Sequence, residues 1–308
     1  MSDSLSILGQ TIFSGLAIGG VYSLVALGMV LIYRSTGVTN FAQGDISMIG
    51  AYTLFTMTEV IGLNYMVGFL VSLVFMGVFG YIFQKTIYYP LRNRSFLSVM
   101  IATIGAGIMF QNGILAIFGP TPEKVRPFIQ TTSGSGGIVL GGVYFDYQYM
   151  VILIITIVLV VLQYLLFEHT TLGKKMQATA QDKTMTQLLG IPVSLMIGIT
   201  FIYSTFLGGL SGMLIAPIFF VTHRMGVTVG LKAFAAAICG GFGDVRGAII
   251  GGDVRGAIIG GVAIGLIESL GESYISAIYR DAYPFLLLFI FLLIRPQGIF
   301  GEKVSEKA

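Results

Sequence analysis

The sequence predicts an all-α, polytopic transmembrane helical bundle of about eight or nine spans with glycine-rich broken segments. Three observations carry that prediction. Of the 308 residues, 55% are hydrophobic and only 10% charged, against about 25% charged in soluble domains, and mean hydropathy is +0.90. A chain this apolar would leave large apolar patches in water, whereas lipid solvates them. Apolar runs of span length recur along the chain, because about 20 apolar residues at about 1.5 Å rise cross a hydrocarbon core of about 30 Å. Basic residues also collect in alternate loops.

The first run covers residues 10–33 and ends at Tyr33-Arg34. The start carries Asp3 where a cleaved signal peptide has a basic region, so this run is read as a retained span. Residues 39–58 are apolar but interrupted by Asn40, Gln43, Gly44 and Asp45. Clear runs follow at 64–84, 97–118, 148–167, 193–217 and 283–294. The stretch 229–274 is glycine-rich and carries Asp244, Arg246, Asp253 and Arg255; the orientation is consistent if it holds two crossings.

Loop charges orient the chain. Lys85, Arg92 and Arg94 fall in one loop, Lys174, Lys175 and Lys183 in another, and Arg295, Lys303 and Lys307 in the tail. All three regions are expected in the cytoplasm. Residues 119–147, with Pro120, Pro122, Pro127 and the flexible run Thr131–Gly137, then face outward, and the N-terminus lies outside. Residues 1–308 form one domain, with a cytoplasmic loop at about 169–192.

Glycines recur at spacing four in Gly15–Gly19, Gly208–Gly212, Gly247–Gly251 and Gly261–Gly265. Small residues at this spacing let membrane helices approach closely, and packing within one bundle is expected over a dimer seam.

Several function classes are excluded. Gly173 before Lys174-Lys175 lacks the frame of a phosphate-binding loop, and Gly241-Phe-Gly243-Asp-Val-Arg-Gly247 lacks the spacing and βαβ setting of a dinucleotide fingerprint. ATP, if it drives this protein, is hydrolysed on another chain. One cysteine, Cys239, and two histidines, His169 and His223, give no disulfide or metal set. No nucleophile–base pair stands out, so no catalytic residue, metal or cofactor is assigned and the chain is not read as an enzyme. The net charge of +3 is too mild for a nucleic-acid partner.

Asn40, Gln43 and Asp45 are costly against lipid. Two readings stand: a broken helix lining a pathway, or a polar cap at the cytoplasmic surface with Asn40 as N-cap. The loop 171–192 exceeds the usual bundle connection of about 2–8 residues. Residues 174–189 are helix-compatible, Gly190 and Pro192 are stop signals, and Met176, Ala180, Met185 and Leu188 or Leu189 form a rough apolar stripe. Such a helix lies on the membrane or docks in a partner's groove; the residues by themselves favour the membrane. Glu268, an acid within a span, is a functional candidate, yet with Glu272 it reads as the solvated outer end of its helix. Residues 243–251 and 252–260 both read GDVRGAIIG. That repeat is read as a recent duplication or a sequence-assembly artefact, with the extra copy either pairing Asp253 with Arg255 or looping out.

The runs Tyr22-Ser-Leu-Val-Ala-Leu-Gly28, Leu31-Ile-Tyr33, Gly37-Val-Thr-Asn-Phe-Ala-Gln-Gly44 and Met48-Ile-Gly-Ala-Tyr52 resemble the LivH-type permeases of branched-chain amino acid ABC importers. So do Leu189-Gly-Ile191, Gly230-Leu-Lys-Ala-Phe-Ala-Ala-Ala-Ile238, Tyr279-Arg-Asp281 and Leu293-Ile-Arg-Pro-Gln-Gly-Ile-Phe-Gly301, in family order. The resemblance implies a multi-pass permease in the plasma (inner) membrane of a bacterium or archaeon. It would pair with a second homologous permease, two cytoplasmic ATP-binding subunits and a soluble substrate-binding protein. The implied cargo is branched-chain or related hydrophobic amino acids, with urea or short-chain amides as the alternative cargo. Lys174, Lys175, Ala178, Ala180, Asp182, Leu189 and Gly190 would belong to the ATPase coupling loop. Asn40, Gln43, Asp45, Lys232 and Glu268 are candidates for the translocation path. One departure is the glycine-rich copy at 243–260, which the family pattern has once. From another class, a stand-alone ion-coupled carrier or channel would use Asp45 or Glu268 as an intramembrane ion site.

Overall fold

The computed structural model describes residues 2–131, 134–140, 143–241 and 252–294. Its helices are α1 (Ser2–Thr36), α2 (Gln43–Phe55), α3 (Tyr65–Phe83), the short α4 (Tyr89–Leu91), α5 (Phe96–Phe118), α6 (Tyr147–His169), α7 (Thr171–Gln181), α8 (Lys183–Leu188), α9 (Val193–Ile215), α10 (Met225–Gly240), α11 (Gly252–Tyr274) and α12 (Ala282–Ile294). Among the described residues six helices are long and apolar enough to cross a membrane: Leu5–Thr36, Tyr65–Leu91, Phe96–Phe118, Tyr147–His169, Val193–Ile215 and Arg255–Tyr274. The helices α2, α10 and α12 are shorter. The all-α polytopic bundle is as the sequence predicts.

Short polar residues start the helices. Asn64 accepts from the Met66 N–H, Ser95 from Ser98, Asp146 from Gln148 and Thr170 from Gly173. Each such cap contributes about 1 kcal/mol. Gly119, at φ +81°, ends α5.

The core is α1. Its most apolar window is 94% buried, against 17% in α5 and α6, so α1 is the axis while α5 and α6 present apolar faces to lipid. Glycine makes the close packing possible. Gly15 and Gly19 of α1 lie against the backbone of Gly261, Val262, Gly265 and Leu266 in α11, with little room for a Cβ at Gly15 and none at Gly19. Gly50 meets Gly209 and Gly212 meets the Ser47 carbonyl across α2 and α9, and Gly240 meets Gly256 across α10 and α11. The spacing-four glycines of α1, α9 and α11 thus serve packing inside one bundle.

One departure from the sequence reading concerns a loop. The stretch 130–146, read as flexible in part, holds two antiparallel hairpins: β1 (Gln130–Thr131) with β2 (Gly134–Ser135), and β3 (Gly137–Leu140) with β4 (Val143–Asp146). These strands are too short and glycine-rich to show an alternating pattern. Nearby, Glu123 and Val221 form an antiparallel bridge, and Arg126 Nε donates to Glu59 Oε1 at 2.8 Å, so the segment before the hairpins is tied to the bundle. The repeat is described only in part. Copy 252–260 opens α11, whereas 243–251, with Asp244, Arg246 and the Gly247–Gly251 pair, lies outside the described residues, as do Arg295, Lys303 and Lys307.

Candidate functional site

Polar residues gather at three places in this apolar bundle. At the first, α1 ends at Thr36, Gly37 turns the chain at φ +80°, and α2 starts at Gln43 inside the protein. Asn40, Gln43 and Asp45 are at most 5% exposed. This excludes the surface-cap reading, although Asn40 does brace the turn: its Oδ1 accepts from the Ala42 N–H at 3.1 Å. Gln43 Nε2 donates to the Ser204 carbonyl at 2.9 Å. Ser204 Oγ lies 3.1 Å from Gln43 Oε1 and 2.8 Å from the Gly28 carbonyl, so the amide ties α2 to α9 and the Ser204 hydroxyl carries the link on to α1. Asp45 Oδ1 accepts from Gln111 Nε2 at 2.9 Å, an amide rather than a cation.

The first turn of α10 meets the first turn of α2 here. Gly226 and Gly230 press on Gly44, and Gly226 and Gly107 flank Asp45. Two discontinuous helices thus point their positive N-terminal ends at one place within the bundle, which is how membrane carriers build polar sites without lipid-exposed backbone. Asp45 sits in the first turn of α2, where the helix dipole favours negative charge. Nothing local signals this meeting, because the partner segments are far apart in sequence.

The second place is an ionic cluster. Lys232 Nζ lies 2.8 Å from Glu268 Oε1 and 2.7 Å from Asp281 Oδ1. Arg280 Nε lies 2.6 Å from the same Glu268 oxygen and 3.3 Å from Glu272 Oε2, and its guanidinium sits over the Phe219 ring. Tyr22 donates to Glu268 Oε2 at 2.9 Å. Lys232 is 2% exposed and Glu268 0%. Glu268 is therefore not a solvated helix end. Charge this deep persists only when paired, and α1, α10 and the turn before α12 supply the partners. The sequence reading missed Tyr22, Arg280 and Asp281 as site residues, because the last two lie beyond the helix that carries Glu268.

The third place is the loop after α6. It is not one helix over 174–189. Asp182 breaks it, and its Oδ1 accepts from the Thr184 and Met185 N–H groups to start α8. The apolar stripe splits accordingly. Met176 is buried against the bundle, whereas Met185, Leu188 and Leu189 are 60%, 77% and 76% exposed. Lys174 and Lys175 are exposed, and Ala178 and Ala180 half-buried. Gly190 takes φ +77°. The Gly190 N–H bonds the Gln187 carbonyl and Ile191 the Thr186 carbonyl, a glycine-dependent helix stop. Lys183 Nζ donates to the Thr36 carbonyl at 3.0 Å, fastening α8 to the end of α1; partial desolvation lowers its pKa from the ordinary lysine value.

Among the described residues no group of three or more His, Cys, Asp or Glu side chains could hold a metal. Cys239 is buried as a free thiol.

A discontinuous helix pair, a buried ion cluster and an exposed apolar helix on a polytopic bundle define a membrane transport subunit. Residues 11–294 match the family described as branched-chain amino acid transport system, permease component, and the chain belongs to that family. It is 30% identical to the high-affinity branched-chain amino acid transport system permease protein BraD of Pseudomonas aeruginosa, over 97% of both chains. It is 28% identical to the permease protein LivH of Salmonella typhimurium over the full length of both, and 27% identical to the probable permease LivH of Methanocaldococcus jannaschii over 98% of this chain and 93% of that one. In fold it resembles PsaBC from Streptococcus pneumoniae, solved in complex with Fab, at TM-score 0.53 and 13% identity, covering 94% and 92% of the two chains.

Proposed function

We propose that this permease is the membrane subunit of an ATP-driven importer of branched-chain or related hydrophobic amino acids, with its N-terminus outside and its C-terminus in the cytoplasm. It pairs with a second permease, two cytoplasmic ATP-binding subunits and a soluble binding protein. The observation that carries the energy-coupling part is the exposed Met185 and Leu188 on α8 with Leu189 at its C-terminal cap. Such an apolar helix face is what a groove on a partner accepts. A push on α8 reaches α1 through Lys183, and α1 packs along α11. Asn40, Gln43, Asp45, Lys232 and Glu268 border the path, with α10 common to both polar centres. The cycle is a population shift between outward- and inward-open states, driven by contacts that differ between them.

Reconstitution tests this. Leucine uptake into vesicles is expected only with the ATPases, the binding protein and ATP all present; uptake by the permease alone sinks the proposal. Competition of labelled leucine by urea and short-chain amides separates the alternative cargo. A second reading rests on Asp45, a buried acid held only by an amide. Uptake abolished by a protonophore and indifferent to ATP depletion would favour an ion-coupled carrier.

A further inference from the structure

A cleft bordering the third of these places, with several donor side chains among apolar ones, opens at the end of α3. Pro90 lacks an N–H and its ring crowds the carbonyl four residues back. Just before it the helix widens into a π-turn over Gln84–Tyr88, in which the Tyr89 N–H bonds the Gln84 carbonyl. Tyr88, Arg92 and Asn93 thereby come beside α8 and the start of α9. Together with Gln84, Lys183 and Gln187 they line a cleft of about 190 Å³.

The lining is rich in donors and carries no carboxylate. The Arg92 guanidinium stacks 3.8 Å from the Tyr89 ring centroid and gives one hydrogen bond, to the Tyr89 carbonyl at 3.3 Å. Lys183 gives one, to Thr36. The neighbouring acid, Asp182, has its Oδ1 engaged by two backbone N–H groups. Two cations with unspent donors and no anion among the lining residues describe a receptor for an oxyanion. An apolar ramp leads to it. Val74, Val78 and Ile82 on α3 are 69%, 54% and 49% exposed, and Tyr81 and Tyr89 stand exposed at the helix end. Tyrosines at a span's end mark the headgroup level, and basic pockets between helix ends bind acidic lipid headgroups.

We propose that this cleft binds a phosphate oxyanion, that of an acidic phospholipid headgroup whose acyl chains run along the exposed face of α3. Only the choice of the cytoplasmic leaflet rests on the orientation proposed above. Because Lys183 and Gln187 belong to α8, an occupied cleft ties the proposed coupling helix to the end of α3.

The test uses the purified full chain in neutral detergent, and native mass spectrometry counts adducts of phosphatidylglycerol and of phosphatidylcholine. The wild type is expected to prefer phosphatidylglycerol. Arg92→Gln lowers that preference about fivefold, and Arg92→Gln with Lys183→Gln about thirtyfold. Gln187→Glu, an exposed substitution that spares the fold, lowers it too, while Arg92→Lys largely retains it. Equal adducts in wild type and variants, or no preference in the wild type, overturn the proposal. Displacement of the lipid by millimolar inorganic phosphate supports an oxyanion site open to solution; resistance to displacement supports the lipid as its source. Unchanged lipid binding combined with lost assembly of the ATPase subunits overturns it in favour of a partner carboxylate. Lipid binding is read without transport, so this result stands apart from the uptake experiment.

Discussion

A single acid shows how much one residue depends on its setting. Glu268 joins Tyr22, Lys232 and Arg280 with no exposed surface. Removing one member of such a cluster leaves the others buried and uncompensated, a loss of about 3–5 kcal/mol. Glu268→Gln is therefore expected to lower the denaturation midpoint of the purified permease sharply, and wild-type stability in that variant would contradict the cluster's structural weight. The apolar pair Lys232→Met with Glu268→Leu recovers only part of the stability, because Tyr22 and Arg280 lose their shared partner, and it is expected to abolish uptake if the cluster borders the path. From the sequence, Glu268 was visible as a charge inside a span; its burial was not. The pairing with Lys232 depends on how α10 crosses α11, and Arg280 and Asp281 arrive from a turn with no periodic signal.

At the scale of the element, α8 is the most informative. Its start is fixed by Asp182 and its stop by Gly190, so its three exposed apolar side chains stand on a short, well-ended helix. Leu188→Asp removes apolar surface that is 77% exposed. Stability should change by under about 0.5 kcal/mol, while ATP-dependent uptake collapses; intact coupled uptake would rule α8 out as the docking helix. Gly190→Val forces a β-branched residue into the left-handed region at a cost of about 1–2 kcal/mol. Uncoupled ATP hydrolysis with folded protein is the expected outcome. The stop at Gly190 was legible in the sequence because glycine and proline punctuate locally. The break at Asp182 was not, since Asp is tolerated in a helix and becomes a cap only when the chain turns before it.

For the whole molecule, the nine-residue repeat gives a clean test. Cutting 243–251 or 252–260 yields the same chain, because the copies are identical. Phe242 then joins directly to a single copy, and the segment that packs Gly256 on Gly240 and Gly260 on Ala236 is retained. The connection falls to about two residues, the short end of the usual range. Insertion, folding and uptake are expected to persist, as monodisperse protein and wild-type transport would show; loss of folded protein would make the repeat structural. Spans and loop charges were readable because lipid imposes length and composition on each span separately. The meeting of α2 with α10 was not, because Gly44 and Gly226 carry no mark of each other: each is merely a glycine near the start of a short helix.

The glycine seam between α1 and α11 also bears on how the protein is made. Gly15 and Gly19 leave the ribosome long before Gly261 and Gly265, an interval on the order of 10–50 s at about 5–20 residues per second. Through that time the helix destined for the centre of the bundle has no permanent neighbour on its most closely packed face. Lipid or the insertion machinery must shelter it, and it has to remain free to slide into register when α11 arrives. A chain stalled before α11 would expose that groove in the bilayer, a ready mark for the proteases that clear unfinished membrane proteins.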